Sequence, residues 1–193
     1  MKYLKLSILT LALVFATSCK DNKKETEETK EPEVEKTTEP VITKTEMKIK
    51  LDPKSGSNAT GTIKFVEENG KVTMMAYLSG LDEGEHAIHI HESADCSSPD
   101  GKSTGGHWNP TAQPHGKWGA EEGYHKGDIG NFKVGADGNG EIKFTTDQWC
   151  LTCEDPTKNI IGKAIIVHQG TDDFTSQPSG AAGSRVSCGA IIE

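Results

Sequence analysis

The chain of 193 residues has no surplus of basic charge: 21 lysines and arginines stand against 29 aspartates and glutamates, a formal net charge of −8. A polyanion would meet repulsion, so nucleic acid is not expected as a partner. No segment joins basic residues to an apolar face, which removes docking on a membrane surface through an amphipathic helix. The longest apolar stretch, Leu6 to Phe15, is too short to span a bilayer. From Met47 onward no apolar stripe recurs at helical spacing, so no long helix is expected there.

What is present begins with a leader. Lys2 and Lys5, the apolar run, and the small residues Ala16, Thr17 and Ser18 before Cys19 read as a secretory leader over residues 1–18. A cysteine at the end of such a leader resembles the lipobox of bacterial lipoproteins, in which it is lipidated and becomes the mature N-terminus. Cys19 is therefore expected to anchor an exported protein to the cell envelope, in the periplasm or at the cell surface. Lys20 to Glu46 is built from Lys, Glu and Thr with Pro32 and Pro40, and has too little apolar surface to offset its ordering entropy. Residues 19–46 thus read as a tether, roughly 30 Å end to end as a flexible coil. Residues 47–193 are long enough for one domain with its own core.

Four cysteines follow the leader: Cys96, Cys150, Cys153 and Cys188. An even number in an exported chain points to disulfides and leaves three pairings open. Cys150-Leu-Thr-Cys153 reads as a local disulfide, with a redox or copper-handling role as the other reading.

The domain reads as all-β, an antiparallel sandwich or barrel. Strands are expected at 47–51, 60–66, 71–78, 86–91, 131–134, 141–145, 160–168 and 185–191. Glu-Asn-Gly before Lys71 marks one hairpin, because Gly70 can take the positive φ that such a turn needs. Gly-Ala-Asp-Gly-Asn-Gly at 135–140 marks a second. Two stretches, Glu92 to Ile129 and Gln169 to Ser184, fit no strand. Loops of that length in a compact domain point to function.

The histidines concentrate on those loops and their borders. In a strand alternate side chains share a face, so His89 and His91 point one way, while His86, Ile88 and Ile90 point to the core. His86 is therefore expected to be a buried, hydrogen-bonded structural residue. His107, His115, His125 and Asp128 follow as His-x7-His-x9-His-x2-Asp, three imidazoles and a carboxylate in a segment too irregular to order itself without a metal. His168 ends an apolar strand, where a rigid element would deliver one more ligand.

Five segments together resemble the copper-zinc superoxide dismutases: Gly84-Glu-His-Ala-Ile-His-Ile-His-Glu92, Gly106-His-Trp-Asn-Pro110, His125-Lys-Gly-Asp-Ile-Gly-Asn131, Gly162-Lys-Ala-Ile-Ile-Val-His168 and Gly183-Ser-Arg-Val-Ser-Cys-Gly189. They occur in family order over nearly all of residues 47–193, and the short interval from His91 to Cys96 resembles the bacterial branch. The resemblance implies a Greek-key β-fold with long metal-binding and active-site loops. It implies copper on His89, His91, His107 and His168, and zinc on His107, His115, His125 and Asp128, with His107 shared. It further implies that Asp172 links His89 to His115, that Arg185 meets the substrate anion, and that Cys96 pairs with Cys188.

The reaction so implied is dismutation of superoxide to O2 and hydrogen peroxide, with His107 returning a proton to the departing peroxide. A copper and zinc storage module on the same fold, without turnover, is the alternative. A homodimer is compatible with the sequence. The stretch Gln169 to Ser184 contains neither lysine nor arginine. Attraction of an anion would therefore rest on Arg185, with Lys102, Lys117 and Lys126 as further sources.

Overall fold

A computed structural model describes residues 44–193. The leader, the expected lipidation at Cys19 and the tether up to residue 43 lie outside the described residues. Eight strands run β1 (Lys44–Pro53), β2 (Thr60–Glu68), β3 (Lys71–Ser79), β4 (Gly84–His91), β5 (Gly130–Val134), β6 (Gly140–Thr146), β7 (Ala164–His168) and β8 (Arg185–Ala190). All pairings between these strands are antiparallel, and the order β1-β2-β3-β6-β5-β4-β7-β8 closes into a barrel because β8 also pairs with β1. The crossovers from β3 to β4 and from β6 to β7 make it a Greek key. Closure leaves no open sheet edge.

Alternation builds the barrel. Ile63 and Phe65 on β2, Met74 on β3, Ile88 and Ile90 on β4, and Ile165 and Val167 on β7 are fully buried in one core cluster. Asn69 and Gly70 take φ of 53° and 71°, giving a two-residue hairpin in which Glu68 faces Lys71. The second expected hairpin is slighter, because β5 meets β6 at the single pair Val134–Gly140.

Two strand limits differ from the sequence reading. The first strand starts at Lys44 rather than Met47, inside the segment read as tether. Lys44, Thr45 and Glu46 pair with Glu68, Glu67 and Val66, and Glu46 lies 2.6 Å from both Lys44 and Lys64. Composition hid this, since backbone pairing to β2 and ion pairs order the segment without apolar burial. The seventh strand starts at Ala164, not Ile160. Gly162 adopts φ of 80° and turns the chain, so residues 160–163 leave the ladder.

His86 is buried, with Nδ1 2.9 Å from the carbonyl of His168 and Nε2 2.9 Å from that of Asp82. It fastens the end of β7 to the β3–β4 connection. No helix among the described residues is long and apolar enough to cross a membrane.

Candidate metal centre

β4 and β7 are neighbours with His89 paired to Ile166 and His91 to Ala164. Their even-numbered β7 positions and odd-numbered β4 positions share the outer face of the barrel wall, which the long loops cover. His89, His91 and His168 are all at most 4% exposed there.

The loop after β4 doubles back to deliver His107. An isolated bridge joins His91 to His107, with Glu92 N donating to Gly106 O and Trp108 N donating to Ile90 O. The chain returns at Gly127, whose amide donates to Trp108 O and whose carbonyl accepts from Ile90 N. A Cβ on Gly127 would collide with Ile90 O, so only glycine lets the third segment lie so close. His107 and Asp128 are thereby pressed against the end of β4.

Two groups of four side chains result: His89, His91, His107 and His168, and then His107, His115, His125 and Asp128. The candidate ligand atoms within each group lie within 4.8 Å of one another. These are the two sets that the family resemblance implied. His107 belongs to both, with Nδ1 2.8 Å from Asp128 Oδ1 on one side and Nε2 without a partner on the other.

Hydrogen bonds set which nitrogen each ring offers. His91 Nδ1 donates to Gly105 O at 3.0 Å, leaving Nε2 with its lone pair. His89 Nε2 and His115 Nε2 each lie 2.9 Å from Asp172, on different oxygens, so both rings turn Nδ1 toward the centre. Asp172 is 1% exposed and is itself gripped by Asn131, which donates to its carbonyl and accepts from its amide. A carboxylate so held fixes two rings at once.

Four of the buried ring nitrogens, His89 Nδ1, His91 Nε2, His107 Nε2 and His168 Nε2, have no hydrogen-bond partner among the described residues, while His115 Nδ1 and His125 Nδ1 lie 3.0 Å and 3.2 Å from the Asp128 carboxylate. An unpaired buried polar atom costs about 1–3 kcal/mol. Four in one place would take up much of the stability of a domain, about 5–15 kcal/mol. A cation that accepts those lone pairs removes the cost, and a second suits the place where Asp128 faces His107, His115 and His125, so the donors present fit two bound metals.

Protonation agrees with that fit at His91, His107, His168 and Asp128. Burial holds His91 and His168 well below the ordinary imidazole value, reinforced by neighbouring histidines and Arg185. Burial lowers His107 to about 4 against the opposing pull of Asp128. Burial would also lower His115, but its bonds to Asp128 and Asp172 outweigh that and raise it to about 9. Burial would raise Asp128, yet hydrogen bonds from His107, His115 and His125 drive it far below the usual carboxylate range. Neutral His91, His107 and His168 beside an ionised Asp128 are the forms that bind metal, whereas His115 must give up a proton before a metal takes its place.

A cleft of about 640 Å³ opens onto His91, His107, His125 and His168, with Arg185, Lys102, Glu92 and Asp100 on its walls. Arg185 stands opposite His168 across β7 and β8, beside a register irregularity between Val167 and His168. One extra residue on β8 there lets Val186 pack in the core while Arg185 shares the face of His168. Of the lysines considered as sources of attraction, Lys102 lines the cleft, but Asp100 lies 3.1 Å from it and offsets its charge. Lys126 donates to Thr157 O, and Lys117 does not line the cleft.

Cys96 pairs with Cys188, tying the loop after β4 to β8 three residues from Arg185. Cys150 pairs with Cys153 in the connection from β6 to β7. That connection meets the histidine-bearing loop where Trp149 Nε1 and Lys126 Nζ each donate to a backbone carbonyl of the other segment.

The structure adds positioning residues that the sequence reading did not single out. Gln177 accepts from His115 N and donates to His115 O, both at 2.8 Å. Thr104 and Gly101 hold Arg185. Nothing in the sequence marks Gln177 or Thr104, since each is a polar loop residue acting at long separation; Asn131 at least sits inside a family-like segment.

A family model described as copper/zinc superoxide dismutase (SODC) matches residues 59–191. Among solved structures, a double mutant of a SOD-like protein from Bacillus subtilis, with a tyrosine and a proline each changed to histidine, is 32% identical. It covers 76% of this chain and 97% of its own, with a TM-score of 0.68. The proline-to-histidine single mutant matches at 30% identity, 76% and 97% coverage and a TM-score of 0.68. The SOD-like protein itself matches at 31%, 75% and 97%, and 0.67.

Proposed function

The chain belongs to the copper/zinc superoxide dismutase family, and from that premise we propose that it converts superoxide to O2 and hydrogen peroxide at a copper-zinc centre. Copper would be held by His89, His91, His107 and His168, since imidazole suits it. Zinc would be held by His107, His115, His125 and Asp128, a donor set suited to tetrahedral coordination. Bound copper would supply two accessible oxidation states, through which one superoxide is oxidised and the next reduced. Arg185 presents its guanidinium to the anion in the cleft, and His107 Nε2 passes a proton to the departing peroxide. Asp172 keeps His89 and His115 aimed inward.

The observation that carries this reading is the placement of Arg185 in the same cleft as His91, His107 and His168. A module that only stores copper and zinc explains the ligands but has no use for that arginine. Metal analysis paired with a superoxide-decay assay tests the choice. Arg185→Ala should keep both metals and lose activity by about 100-fold, the scale of removing one anion-stabilising group. Retained metals with undiminished decay would favour the storage module.

The two disulfides fit an exported protein. Attachment to the cell envelope through a lipid on Cys19 is part of the same proposal. Cys19→Ala should move the protein from the membrane to the soluble fraction, and equal partitioning of both forms would overturn the anchor.

A further inference from the structure

Among the described residues, Arg185 is held at one edge only. Both of its hydrogen bonds come from Nη1, to Gly101 O at 2.9 Å and to Thr104 Oγ1 at 3.0 Å. Gly101 O also accepts from Thr104 Oγ1 at 2.9 Å and from Thr104 N at 3.3 Å, so its lone pairs are fully committed. Since Nη1 can only donate, the hydroxyl must accept from it and turn its own proton to Gly101 O. The result is a closed triangle of guanidinium, hydroxyl and carbonyl.

Thr104 is itself fixed. It is 0% exposed, it lies in the 3-10 turn Lys102–Thr104, and its carbonyl accepts from Ser93 N just beyond β4. Gly101 has φ of 69°, and a Cβ there would come within 3.3 Å of Arg185 Cβ. The turn is thus shaped around the arginine, and the β-branched Thr104 has little freedom to swing its hydroxyl elsewhere.

We propose that Thr104 is a positioning residue whose buried hydroxyl, through Nη1, sets the orientation of the Arg185 guanidinium toward an anion in the metal cleft. This rests on the reading that Arg185 meets the substrate. A single carbonyl would leave the guanidinium free to rotate about one bond. Two acceptors on one nitrogen fix the plane and leave the remaining nitrogens uncommitted for the anion. Thr104 does not touch the anion and acts only through Arg185.

The test uses azide as the anionic probe on the full-length protein loaded with copper(II) and zinc, with affinity read from the absorption change on binding. Thr104→Val keeps the shape and removes the hydroxyl, and should weaken azide about tenfold, the scale of one hydrogen bond to a charged group. Thr104→Ser should bind within about twofold of the parent. In an Arg185→Ala background, Thr104→Val should add nothing. In the copper-free, zinc-loaded protein, nitrogen-15 NMR of the Arg185 guanidinium should show slow rotation in the parent and in Thr104→Ser, and averaged signals in Thr104→Val.

Unchanged azide affinity or unchanged guanidinium rotation in Thr104→Val overturns the inference, as does a Thr104→Ser variant as weak as Thr104→Val. If Thr104→Val does not fold, Thr104→Ala carries the same comparison. Loss of dismutation with these effects intact would defeat the proposed function and leave the role of Thr104 standing.

Discussion

The two halves of the centre are built on different materials. His89, His91 and His168 stand on paired strands, in a wall whose ladder exists whatever the loops do. His115, His125 and Asp128 stand on a loop that contributes no strand and is held by point contacts: Gln177 on His115, Asp172 on its ring, and the Gly127 return. His107 sits at the seam, bridged to His91 by backbone and to Asp128 by its ring. The difference teaches that rigidity here is borrowed. The strand half is pre-organised by folding, and the loop half by its neighbours and by whatever binds it.

The largest way to break the contrast is through the disulfides. Cys96–Cys188 closes a separation of 92 residues and Cys150–Cys153 one of 3. Loop-closure entropy then gives about 4–5 kcal/mol for the first and about 2 kcal/mol for the second. Urea unfolding of the paired Cys→Ala variants should show that ranking, with the loop after β4 losing amide protection before the barrel strands in Cys96→Ala/Cys188→Ala. A barrel that melts first would mean that the loop is the more rigid half.

Next is Asp172, whose carboxylate bonds a ring from each half. Asp172→Asn should weaken zinc retention by about 10–100-fold, the usual range for a group that orients metal ligands, and copper retention by less. Chelator competition read metal by metal distinguishes the two. Equal losses would show that His89 depends on Asp172 as much as His115 does.

The smallest effect concerns pH in the metal-free protein. His91 and His168 are held well below 6.5 and His107 at about 4, so the unfolded chain binds more protons than the folded one as pH falls through 6.5. Stability should therefore decline on the acid side. His115, raised to about 9, reverses the sign: its contribution is complete below 6.5 and is lost as pH rises through 9. Urea midpoints should peak near neutrality, and His115→Gln should flatten the alkaline limb while sparing the acid one. Between about pH 6.5 and 4, above the range where Asp128 and Asp172 lose their contribution, the acid limb then reports the strand half and the seam, and the alkaline limb reports the loop half.

The sequence made the strand half more legible than the loop half. Alternation alone placed His89 and His91 together and His86 apart, and it marked the hairpin at Asn69 and Gly70. Spacing alone could not say which loop residues meet which strand; the family-like segments supplied that grouping. Gln177, Thr104 and Gly101 escaped because their contacts cross 62 to 84 positions and leave no period. Gly162 escaped because an apolar run hides a glycine that turns. Lys44 to Glu46 escaped because a strand held by its neighbour's backbone needs no apolar side chains of its own.

The extra residue on β8 has a consequence for how such a centre tolerates change in chain length. Arg185 and Cys188 are three apart, an odd step that would put them on opposite faces of a regular strand. Because β8 carries one residue too many, they can lie on the same side, the arginine at the cleft and the cysteine against Cys96. A regular ladder at the present length would force a choice between them: either the charge turns into the barrel or the crosslink loses its reach. Deleting Val186 would restore regularity with both residues still on one face, and what is lost is an apolar side chain from the core.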